Sequence, residues 1–470
     1  MRAEQVRSAV LEIYEQVRRE GARADQAMQR VIRREKQLRS VERRAVADAV
    51  YGLLRLQGKV DDLLTRGLAT KGMTLAQIAT PTQHLLRYAA YLIVGDKQSA
   101  ISAQGLAGPE VKNYLWLLER VAAPQDLAPS AGAKDETSQL ANETSLPRWL
   151  AELWQTQLGA DETRRLADAL NQRAPLTIRA NLLKGSVQDL EDALKDEEVK
   201  AERCAFSPLA LSFTARTNVF ALKAFKHGLF EVQDEGSQLI AEACNAKPGQ
   251  LVVDACAGAG GKTLALAAQM QNKGRLIACD RDGRRLLELK TRARRAGAHN
   301  YEARAVPEGA AGEARLADLK GKADIVLIDA PCSGLGALRR NPDARWRLDL
   351  GEVETFPPRQ KEILERYSQL VKTGGLLVYA TCSINRRENE EVREAFAKSA
   401  PGFAPVNPEE LLGEERCERL RTAAVAAGGT PCGTPENGWP ALGAREVDVQ
   451  LAPQRHGTDG FYIAGFRKKG

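Results

Sequence analysis

The feature that most constrains the fold is a regular alternation of short apolar strands and helices between residues 251 and 396. "QLVVDACAGAGGKTLALAAQM" opens this region as a strand, a glycine-rich turn and a helix, and "RLIACDRD", "IDAPCSGLG" and "LLVYATCS" contain later strand ends. Such alternation is typical of a parallel sheet with helices on both faces. The sequence therefore predicts a Rossmann-like, doubly wound sheet in the C-terminal part of a multidomain α and α/β chain.

The last seventy residues show a weaker pattern. Residues 400–443 are rich in glycine and proline, which predicts a long loop or insertion, and "GFYIAGFRKK" predicts a final strand. After the strand "LLVYATCS", we expect Asn385 to be the N-cap of a helix, with Glu388 completing a capping box.

The first 125 residues predict a helical domain. Apolar residues recur at three- and four-residue spacing in "AVLEIYEQVRREG" and "SVERRAVADAVYGLLRLQGKVDDLL", and no proline precedes Pro81. We expect a bundle of five to seven helices that ends near Ala123. The segment carries 20 Lys and Arg against 13 Asp and Glu, whereas the rest of the chain is balanced, 48 against 48. Concentrated positive charge indicates a polyanionic partner, although a solvated basic bundle has the same composition.

Two segments connect the predicted bundle to the predicted sheet. Residues 126–145 are polar and rich in Ser, Pro, Ala and Gly, which predicts a flexible linker. Residues 146–228 predict a small α/β domain: a helix in "LPRWLAELWQTQLG", a strand in "PLTIRANLLKG", a helix capped by Ser186, and a strand in "ALSFTA". Residues 229–470 then form the predicted domain with the doubly wound sheet.

Cysteine usage and hydropathy indicate the cellular setting. The eight cysteines are scattered without a CxxC pair, so we expect free thiols, a reducing cytoplasmic environment and no metal site. The sequence has no apolar run long enough to span a membrane, and the N-terminus has no signal-peptide pattern. A monomer without an obligate protein partner is the default expectation.

The glycine turn in "VVDACAGAGGKT" predicts a ligand site, because glycines allow close approach to backbone N–H groups. A phosphate-binding loop requires a glycine where Cys256 stands, and a dinucleotide fingerprint requires one where Thr263 stands. An S-adenosylmethionine site fits better, since it requires a glycine turn and an acid that ends the next strand. Asp280 in "RLIACDRD" provides that acid, which is suited to bind ribose hydroxyls.

Asp254, Asp280, Cys332 and Cys382 all follow predicted strands, so they are expected to meet at one edge of the sheet. A single cysteine there is more often a small buried apolar residue, but two beside a methyl-donor turn favour chemistry. Addition of a thiolate to carbon 6 of cytosine makes carbon 5 nucleophilic enough to accept a methyl group. Asp329, three residues before Cys332, is placed to hold the charge on the ring. Methylation of an amino group needs no covalent step, so the pattern favours carbon-5 methylation.

These motifs resemble the Sun (Fmu) group of RNA cytosine-5 methyltransferases. "DACAGAGGKT", "DAPCSG", "RRNPDARW", "YATCS" and "GTDGFY" occur in the order and spacing of that group, and "VQDEGSQ" and "IRANLLKG" resemble its upstream elements. The N-terminal "ERRAVADAVYGLLR" is similar to NusB-like RNA-binding domains. The resemblance implies S-adenosylmethionine-dependent methylation of cytosine carbon 5 in 16S ribosomal RNA, free or in an assembling small subunit.

The resemblance also implies roles for individual residues. Cys382 is expected to be the nucleophile and Cys332 to assist release of the product, although the sequence alone does not rank the two thiols. Asp329 is expected to contact the cytosine, and Lys262 to join it. The expected methyl-donor site consists of Cys256, Ala257, Gly258, Ala259, Gly260, Gly261, Lys262, Asp280 and Asp329.

Two departures from the group concern the methyl donor. Gly258 and Ala259 stand where the group usually has Ala-Pro, and this change loosens the turn without removing a donor. The third strand region, "NYEARAVPEG", lacks the acid that often lies near adenine, and Val306 or a neighbour occupies that place. We therefore expect weaker binding of the methyl donor, or a backbone group in place of the acid.

The predicted RNA contacts combine cations with an aromatic residue, Trp346. An alternative for the loop that holds Trp346 is a charged segment that covers the sheet. Two other functions stay open: cytosine-5 methylation of transfer RNA or another ribosomal site, and a NusB-like RNA-binding protein with a vestigial enzyme domain. The predicted contacts are Arg339, Arg340, Arg345, Arg179 and Asn181.

Overall fold

The structure is a computed structural model that describes residues 3–128, 135–426 and 442–470. The described helices are α1 (Ala3–Arg19), α2 (Ala24–Arg34), α3 (Ser40–Ala69), α4 (Thr80–Val94), α5 (Ala100–Ala107), α6 (Leu115–Ala122), α7 (Glu136–Thr144), α8 (Arg148–Leu158), α9 (Ala160–Asn171), α10 (Val187–Asp196), α11 (Lys223–Lys226), α12 (Glu235–Glu242), α13 (Gly261–Gln269), α14 (Gly283–Ala296), α15 (Ala310–Leu316), α16 (Ala344–Arg347), α17 (Leu350–Glu354), α18 (Phe356–Ser368), α19 (Glu390–Ser399), α20 (Pro408–Leu412), α21 (Glu414–Ala426) and α22 (Pro453–His456). The described strands are β1 (Thr177–Ala180), β2 (Ala201–Arg203), β3 (Ala210–Phe213), β4 (Phe230–Val232), β5 (Leu251–Asp254), β6 (Arg275–Asp280), β7 (Tyr301–Ala305), β8 (Ala323–Asp329), β9 (Val371–Thr381), β10 (Phe403–Val406), β11 (Gly443–Ala444), β12 (Asp448–Gln450) and β13 (Tyr462–Lys468).

The chain divides into two compact units. The first unit comprises the described part of Met1–Arg173 together with Leu338–Leu350, and the second comprises the described part of Ala174–Ala337 and Gly351–Gly470. Each unit has its own apolar interior, because long amphipathic helices and a covered sheet bury their apolar faces separately.

The first unit is helical. The helices α1–α6 precede Ala123, which confirms the predicted bundle of five to seven helices. The 30-residue helix α3 packs against α1, α4 and α6 and contributes apolar residues at helical spacing to the shared core. The helices α8 and α9 also belong to this unit, and so does the short helix α16 from the segment after the Pro-Cys turn.

The predicted linker contains regular structure. Helix α7 lies within it, and Asp135 caps this helix by accepting from the backbone N–H of Ser138 at 2.8 Å. Asn142 donates to Asp62 of α3 at 2.9 Å, so the helix is anchored to the bundle. The prediction of a flexible linker is therefore wrong from Asp135 onward, because buried apolar residues tie α7 to its neighbours; residues 129–134 lie outside the described residues.

The second unit begins with a small antiparallel sheet in the order β2-β3-β1-β4. Helix α10 packs beside it and begins at the predicted cap: the hydroxyl of Ser186 accepts from the backbone N–H of Asp189 at 3.1 Å. The predicted strands in "PLTIRANLLKG" and "ALSFTA" are confirmed as β1 and β3.

A large sheet completes the second unit, in the order β11-β12-β13-β9-β8-β5-β6-β7, with β10 also paired to β13. The five strands β9, β8, β5, β6 and β7 are parallel, and β13 joins β9 in antiparallel orientation. Helices cover both faces, so β8 is almost entirely buried along its length, as expected for a strand in a parallel sheet. The predicted Rossmann-like fold and the final strand are confirmed.

The predicted loop at 400–443 is wrong for its described part. Strand β10 pairs with β13 from Phe403 to Val406, and the helices α20 and α21 follow it. The glycine and proline content belongs to strand and helix ends here, for example to Pro408 at the start of α20; residues 427–441 lie outside the described residues. Among the helices of the described residues, none is both long and apolar enough to cross a membrane.

Candidate active site

Four parallel strands deliver polar residues to one edge of the large sheet. Because β6, β5, β8 and β9 are neighbours that run in the same direction, their carboxyl ends lie side by side. Asp280 ends β6, Asp254 ends β5, Asp329 ends β8, and Cys382 directly follows β9. The structure therefore brings together the strand-end residues that the sequence selects.

The two cysteines are in direct contact. The Sγ atoms of Cys332 and Cys382 lie 3.2 Å apart, which is within hydrogen-bonding distance for two thiol groups. The hydrogen bond to Cys382, burial and the charge of Glu388 together raise the pKa of Cys332 well above its ordinary value. Cys332 is therefore a thiol at neutral pH, and it is available as a donor to Cys382. All seven described cysteines are free.

A lysine and an aspartate form an ion pair beside the thiols. The amine of Lys262, in the first turn of α13, donates to Oδ2 of Asp329 at 2.7 Å. Burial opposes the charged form of Lys262, but the carboxylate of Asp329 outweighs this effect and raises the pKa of the lysine above its ordinary value. Cys382 acts on the same ammonium group in the same direction. The structure thus joins Lys262 to Asp329, the pair that the sequence selects.

The glycine turn has the conformation that a nucleoside site requires. Gly258 and Gly260 have φ of +55° and +87°, in the left-handed region that favours glycine. A Cβ atom at Gly260 would lie 2.1 Å from the side chain of Leu289, and one at Gly258 would lie 2.7 Å from Arg285. Backbone atoms of the turn therefore form its surface, so a ligand approaches the N–H groups at the start of α13 directly.

Asp280 is fixed next to this turn. Its Oδ2 accepts the backbone N–H of Gly258 at 2.8 Å, and its Oδ1 accepts the backbone N–H of Asp282 at 2.8 Å. Each carboxylate oxygen retains a lone pair, so the fixed carboxylate has capacity for the two hydroxyls of a ribose. The residues present therefore fit the nucleoside of S-adenosylmethionine, and Cys256 to Lys262 with Asp280 are the residues that would hold it.

The third strand is followed by a buried apolar residue at the place of the missing acid. Val306 is buried, and its N–H group donates to the main-chain oxygen of Asp280 at 2.9 Å. The N–H group of Val306 is therefore already hydrogen-bonded. At the place of the missing acid, Val306 presents an apolar side chain and no free N–H group.

Two arginines brace the glycine turn from outside. Arg179 of β1 donates to the carbonyl oxygen of Gly261 at 2.9 Å, and Arg292 of α14 donates to that of Ala259 at 3.0 Å. Arg292 is held in turn by Glu231 of β4 at 2.9 Å. The small sheet therefore supports the turn through fixed cations. Sequence reasoning missed Arg292 and Glu231, because their connection exists only after β4 and α14 pack together.

The prediction that Arg179 of β1 and Asn181, just after this strand, contact RNA is wrong, because both side chains are buried. The guanidinium of Arg179 is buried and also donates to Gln233, and burial lowers its pKa to about 10. Asn181 is buried as well, and its amide donates to the main-chain oxygens of Gly228 and Ala296 at 2.8 Å each. Both residues are structural and do not present their side chains to RNA.

The arginines after the Pro-Cys turn lie in the helical unit. Arg345 is fully buried and donates to the main-chain oxygen of Ser145 at 3.2 Å and to the side chain of Asn171 at 2.7 Å. Arg339 is also buried, whereas Arg340 is half-buried. The prediction of Arg339 and Arg345 as RNA contacts is therefore wrong, because both side chains are buried; a contact by Arg340 stays a prediction.

Trp346 packs in the same unit and donates from its indole to the main-chain oxygen of Leu54 at 2.6 Å. It therefore covers helix α3. The interpretation of Trp346 as a cover for the sheet is therefore wrong, and an RNA contact by Arg340 of the same loop stays a prediction.

The expected capping box at Asn385 and Glu388 is also wrong. Helix α19 begins at Glu390, and Asn389 occupies the cap position. Glu388 is fully buried and accepts from the backbone N–H of Ser333 at 2.7 Å and from the hydroxyl of Ser383 at 2.6 Å. Sequence reasoning assigned this carboxylate to a helix end, because a buried partner in a distant turn leaves no local signal.

Comparison with known proteins shows similarity to ribosomal RNA methyltransferases. Residues 241–467 match the family described as 16S rRNA methyltransferase RsmB/F, and residues 146–220 match the ferredoxin-like domain of RsmF/B-like methyltransferases. A probable ribosomal RNA small subunit methyltransferase B of Synechocystis sp. is 29% identical over 465 residues, covering 97% of this chain and 98% of that protein. A protein of the same description from Bacillus subtilis is 32% identical over 337 residues, covering 72% of this chain and 69% of that protein. A methyltransferase homolog of known structure from Pyrococcus horikoshii has 26% identity and a TM-score of 0.58, covering 71% of this chain and 99% of that chain.

Proposed function

Because this chain belongs to the RsmB/F family of S-adenosylmethionine-dependent ribosomal RNA methyltransferases, we propose that it methylates carbon 5 of a cytosine in 16S ribosomal RNA through a covalent bond from Cys382. The observation that carries this proposal is the 3.2 Å contact between the sulfur atoms of Cys332 and Cys382. A methyltransferase that modifies an amino group needs no thiol at this edge, whereas carbon-5 methylation needs one that adds to the ring.

The proposed reaction begins when the sulfur of Cys382, as a thiolate, bonds to carbon 6 of the cytosine. The electron pair of the 5,6 double bond moves into the ring, and carbon 5 becomes nucleophilic. S-adenosylmethionine, when bound, supplies the methyl group to carbon 5. Loss of the carbon-5 proton to a base then returns an electron pair to the ring, and the bond between carbon 6 and the sulfur of Cys382 breaks. The products are 5-methylcytosine, S-adenosylhomocysteine, the protonated base and the free thiolate of Cys382.

The local charges support Cys382 as the nucleophile. The pKa of Cys332 is raised by its hydrogen bond to Cys382, by burial and by Glu388, so Cys332 retains its proton. Cys382 instead lies within electrostatic range of the Lys262 ammonium group. The thiol of Cys332 then donates to the sulfur of Cys382 and stabilises it as the leaving group when the product is released.

Asp329 and Lys262 are suited to orient the base. The carboxylate of Asp329 faces the same edge as the thiols and is fixed by Lys262 at 2.7 Å. A carboxylate at this position accepts from the amino group of cytosine, and the ammonium group of Lys262 beside it stabilises the negative charge that addition creates on ring nitrogen 3 and oxygen 2. The ion pair keeps that carboxylate in one orientation before the base arrives, which lowers the cost of reorganisation.

The basic helical unit is proposed to bind the RNA. Between Arg23 and Arg44 the chain has eight Lys and Arg against three Asp and Glu. All eight of these cations are exposed, a suitable surface for phosphate groups. The target base still has to leave its stack to reach Cys382, which costs least in a loop. The exposed cations are Arg23, Arg30, Arg33, Arg34, Lys36, Arg39, Arg43 and Arg44.

The decisive experiment is bisulfite sequencing of RNA from cells that lack this protein, complemented with the wild type or with Cys382→Ala. Loss of one 5-methylcytosine in 16S ribosomal RNA, restored only by the wild type, is the expected result. Loss of a mark in transfer RNA or at another ribosomal site would overturn the substrate. An unchanged pattern of RNA cytosines would overturn the reaction and favour an RNA-binding role for the chain.

A further inference from the structure

A single buried carboxylate connects the two turns that carry the cysteines. Oε1 of Glu388 accepts the backbone N–H of Ser333 at 2.7 Å, and Oε2 accepts the hydroxyl of Ser333 at 2.5 Å. Oε2 also accepts the hydroxyl of Ser383 at 2.6 Å. Ser333 directly follows Cys332, and Ser383 directly follows Cys382. Glu388 thus binds the neighbour of each thiol through the same side chain.

The carboxylate is itself held in place. Gln360 of α18 donates to Oε1 of Glu388 at 3.3 Å and to the main-chain oxygen of Pro331 at 3.0 Å. The hydroxyl of Tyr379, on β9, donates to the main-chain oxygen of Glu388 at 2.6 Å. Gln360 and Tyr379 therefore hold the side chain and the main chain of Glu388 independently of its contacts with Ser333 and Ser383.

We propose that Glu388 is the positioning residue that sets the distance between the thiols of Cys332 and Cys382. This proposal rests on the proposed function in one respect: it assumes that both thiols act on the same cytosine. Parallel strands fix the direction in which each turn leaves the sheet, but they do not fix the conformation of the turns beyond their last ladder hydrogen bonds. Hydrogen bonds to a buried carboxylate are stronger than neutral ones, and here they link both turns to one rigid group.

A nearby glutamate provides a matched control. Glu390 is also buried, two residues further along, and its carboxylate pairs with Arg445 at 2.9 Å. Its charge is neutralised by a cation, whereas that of Glu388 is directed at the two turns. Glu390→Gln therefore tests the general cost of altering a buried acid in this region, and Glu388→Gln tests the spacing of the thiols.

The spacing is measured with phenylarsine oxide. Its arsenic atom forms one bond to each of two adjacent thiol sulfurs, while its oxygen leaves as water with both thiol protons, so tight binding requires a close pair. Binding to the pair of cysteines is the fraction of arsenical binding that is lost in Cys332→Ser, and this fraction is the quantity compared between variants. We expect Glu388→Gln to weaken this binding at least tenfold and to lower kcat at least tenfold. We expect the Kd for S-adenosylhomocysteine to stay within twofold, and Glu390→Gln to bind the arsenical like the wild type.

A second variant covers the case in which Glu388→Gln does not fold. Ser383→Ala removes one donor and leaves the carboxylate and its other partners in place, so we expect a smaller loss, about threefold, in arsenical binding. Unchanged arsenical binding in the folded Glu388→Gln variant, or in Ser383→Ala if that variant alone folds, would overturn the proposal. The arsenical measurement needs no RNA, so the two proposals fail separately. Retained methylation by Cys382→Ala would refute the proposed reaction, but it would not change the effect of Glu388→Gln on arsenical binding.

Discussion

The sulfur atoms of Cys332 and Cys382 lie 3.2 Å apart although 50 residues separate them in the chain. The contact exists because β8 and β9 are parallel neighbours whose ends continue into adjacent turns. Two thiols at this distance are close enough to act on the same ligand atom. Their environments differ, however, and this difference makes the two thiols chemically distinct.

The first prediction separates the roles of the cysteines. Cys382→Ala is expected to abolish both methyl transfer and any covalent RNA adduct, because it removes the attacking sulfur. Cys332→Ala is expected to form the adduct and release it slowly, because the donor to the leaving thiolate is missing. Denaturing gel electrophoresis with labelled RNA measures the adduct. An adduct in Cys382→Ala but none in Cys332→Ala would reverse the assignment.

The second prediction concerns Asp329. Asp329→Asn is expected to lower kcat by about 10²–10⁴-fold, the range for loss of one group that handles a proton or charge in a transition state. Asp324 lies on the same strand and pairs with Lys372, so Asp324→Asn is the control and is expected to leave kcat within about twofold. Single-turnover methyl transfer measures the difference. Equal kcat values for the two variants would exclude a role of Asp329 in the reaction.

The third prediction concerns the support of the glycine turn. Arg292→Ala removes a donor to the carbonyl oxygen of Ala259 and leaves Glu231 buried with one fewer partner. We expect the Kd for S-adenosylhomocysteine to rise about tenfold, equivalent to about 1.4 kcal/mol, because the turn is no longer held in its binding conformation. Isothermal titration calorimetry measures this change. Arg203 pairs with Glu191 on the exposed side of the small sheet, and Arg203→Ala is expected to bind normally.

The fourth prediction is a pH dependence of stability. Asp254 is fully buried at the end of β5, and burial raises its pKa to about 7, although the hydroxyl of Thr263 donates to its Oδ2 at 2.7 Å. The folded state therefore binds a proton that the unfolded state releases near pH 4. This proton makes the folded chain less stable as the pH rises from about 4 to 7, by at most about 1.4 kcal/mol per pH unit.

Asp254→Asn removes this titration. We expect the free energy of unfolding of the variant to decline less than that of the wild type between pH 5 and 7. Denaturant unfolding at several pH values measures both slopes. Parallel slopes would mean that Asp254 is charged throughout this range in the folded protein.

The fifth prediction concerns Arg345. Arg345→Ala removes a buried side chain and its hydrogen bonds to Ser145 and Asn171, so we expect a loss of about 2–4 kcal/mol in the stability of the helical unit. Arg173 is exposed and pairs with Asp48 at 3.6 Å, so Arg173→Ala is expected to cost less than about 1 kcal/mol. Hydrogen exchange in α3 and α9 reports the change. Equal protection in both variants would contradict a structural role.

Local patterns in the sequence predicted the elements with their own signals. Apolar spacing predicted the bundle, the capping residue Ser186 predicted the start of α10, and alternating strands and helices predicted the parallel sheet. The strand-end residues Asp280, Asp329 and Cys382 were predictable as a group, because a parallel sheet places the ends of its strands at one edge. Predictions from the sequence were wrong where a charged residue was assumed to be exposed, as at Arg179 and Arg345. A buried arginine and an exposed one look alike in a sequence.

The sequence by itself determined the chemistry available to this protein, since thiols, carboxylates and glycines at strand ends follow from periodicity and topology. Only the tertiary structure decided which side chains are accessible and which partners they have. It buried Arg345 and Asn181, used Arg179 and Arg292 to support the glycine turn, and placed Glu388 between the two cysteine turns. The physical reason is that burial and hydrogen bonding depend on residues far apart in the chain, and no local pattern records which distant segment packs against a given side chain.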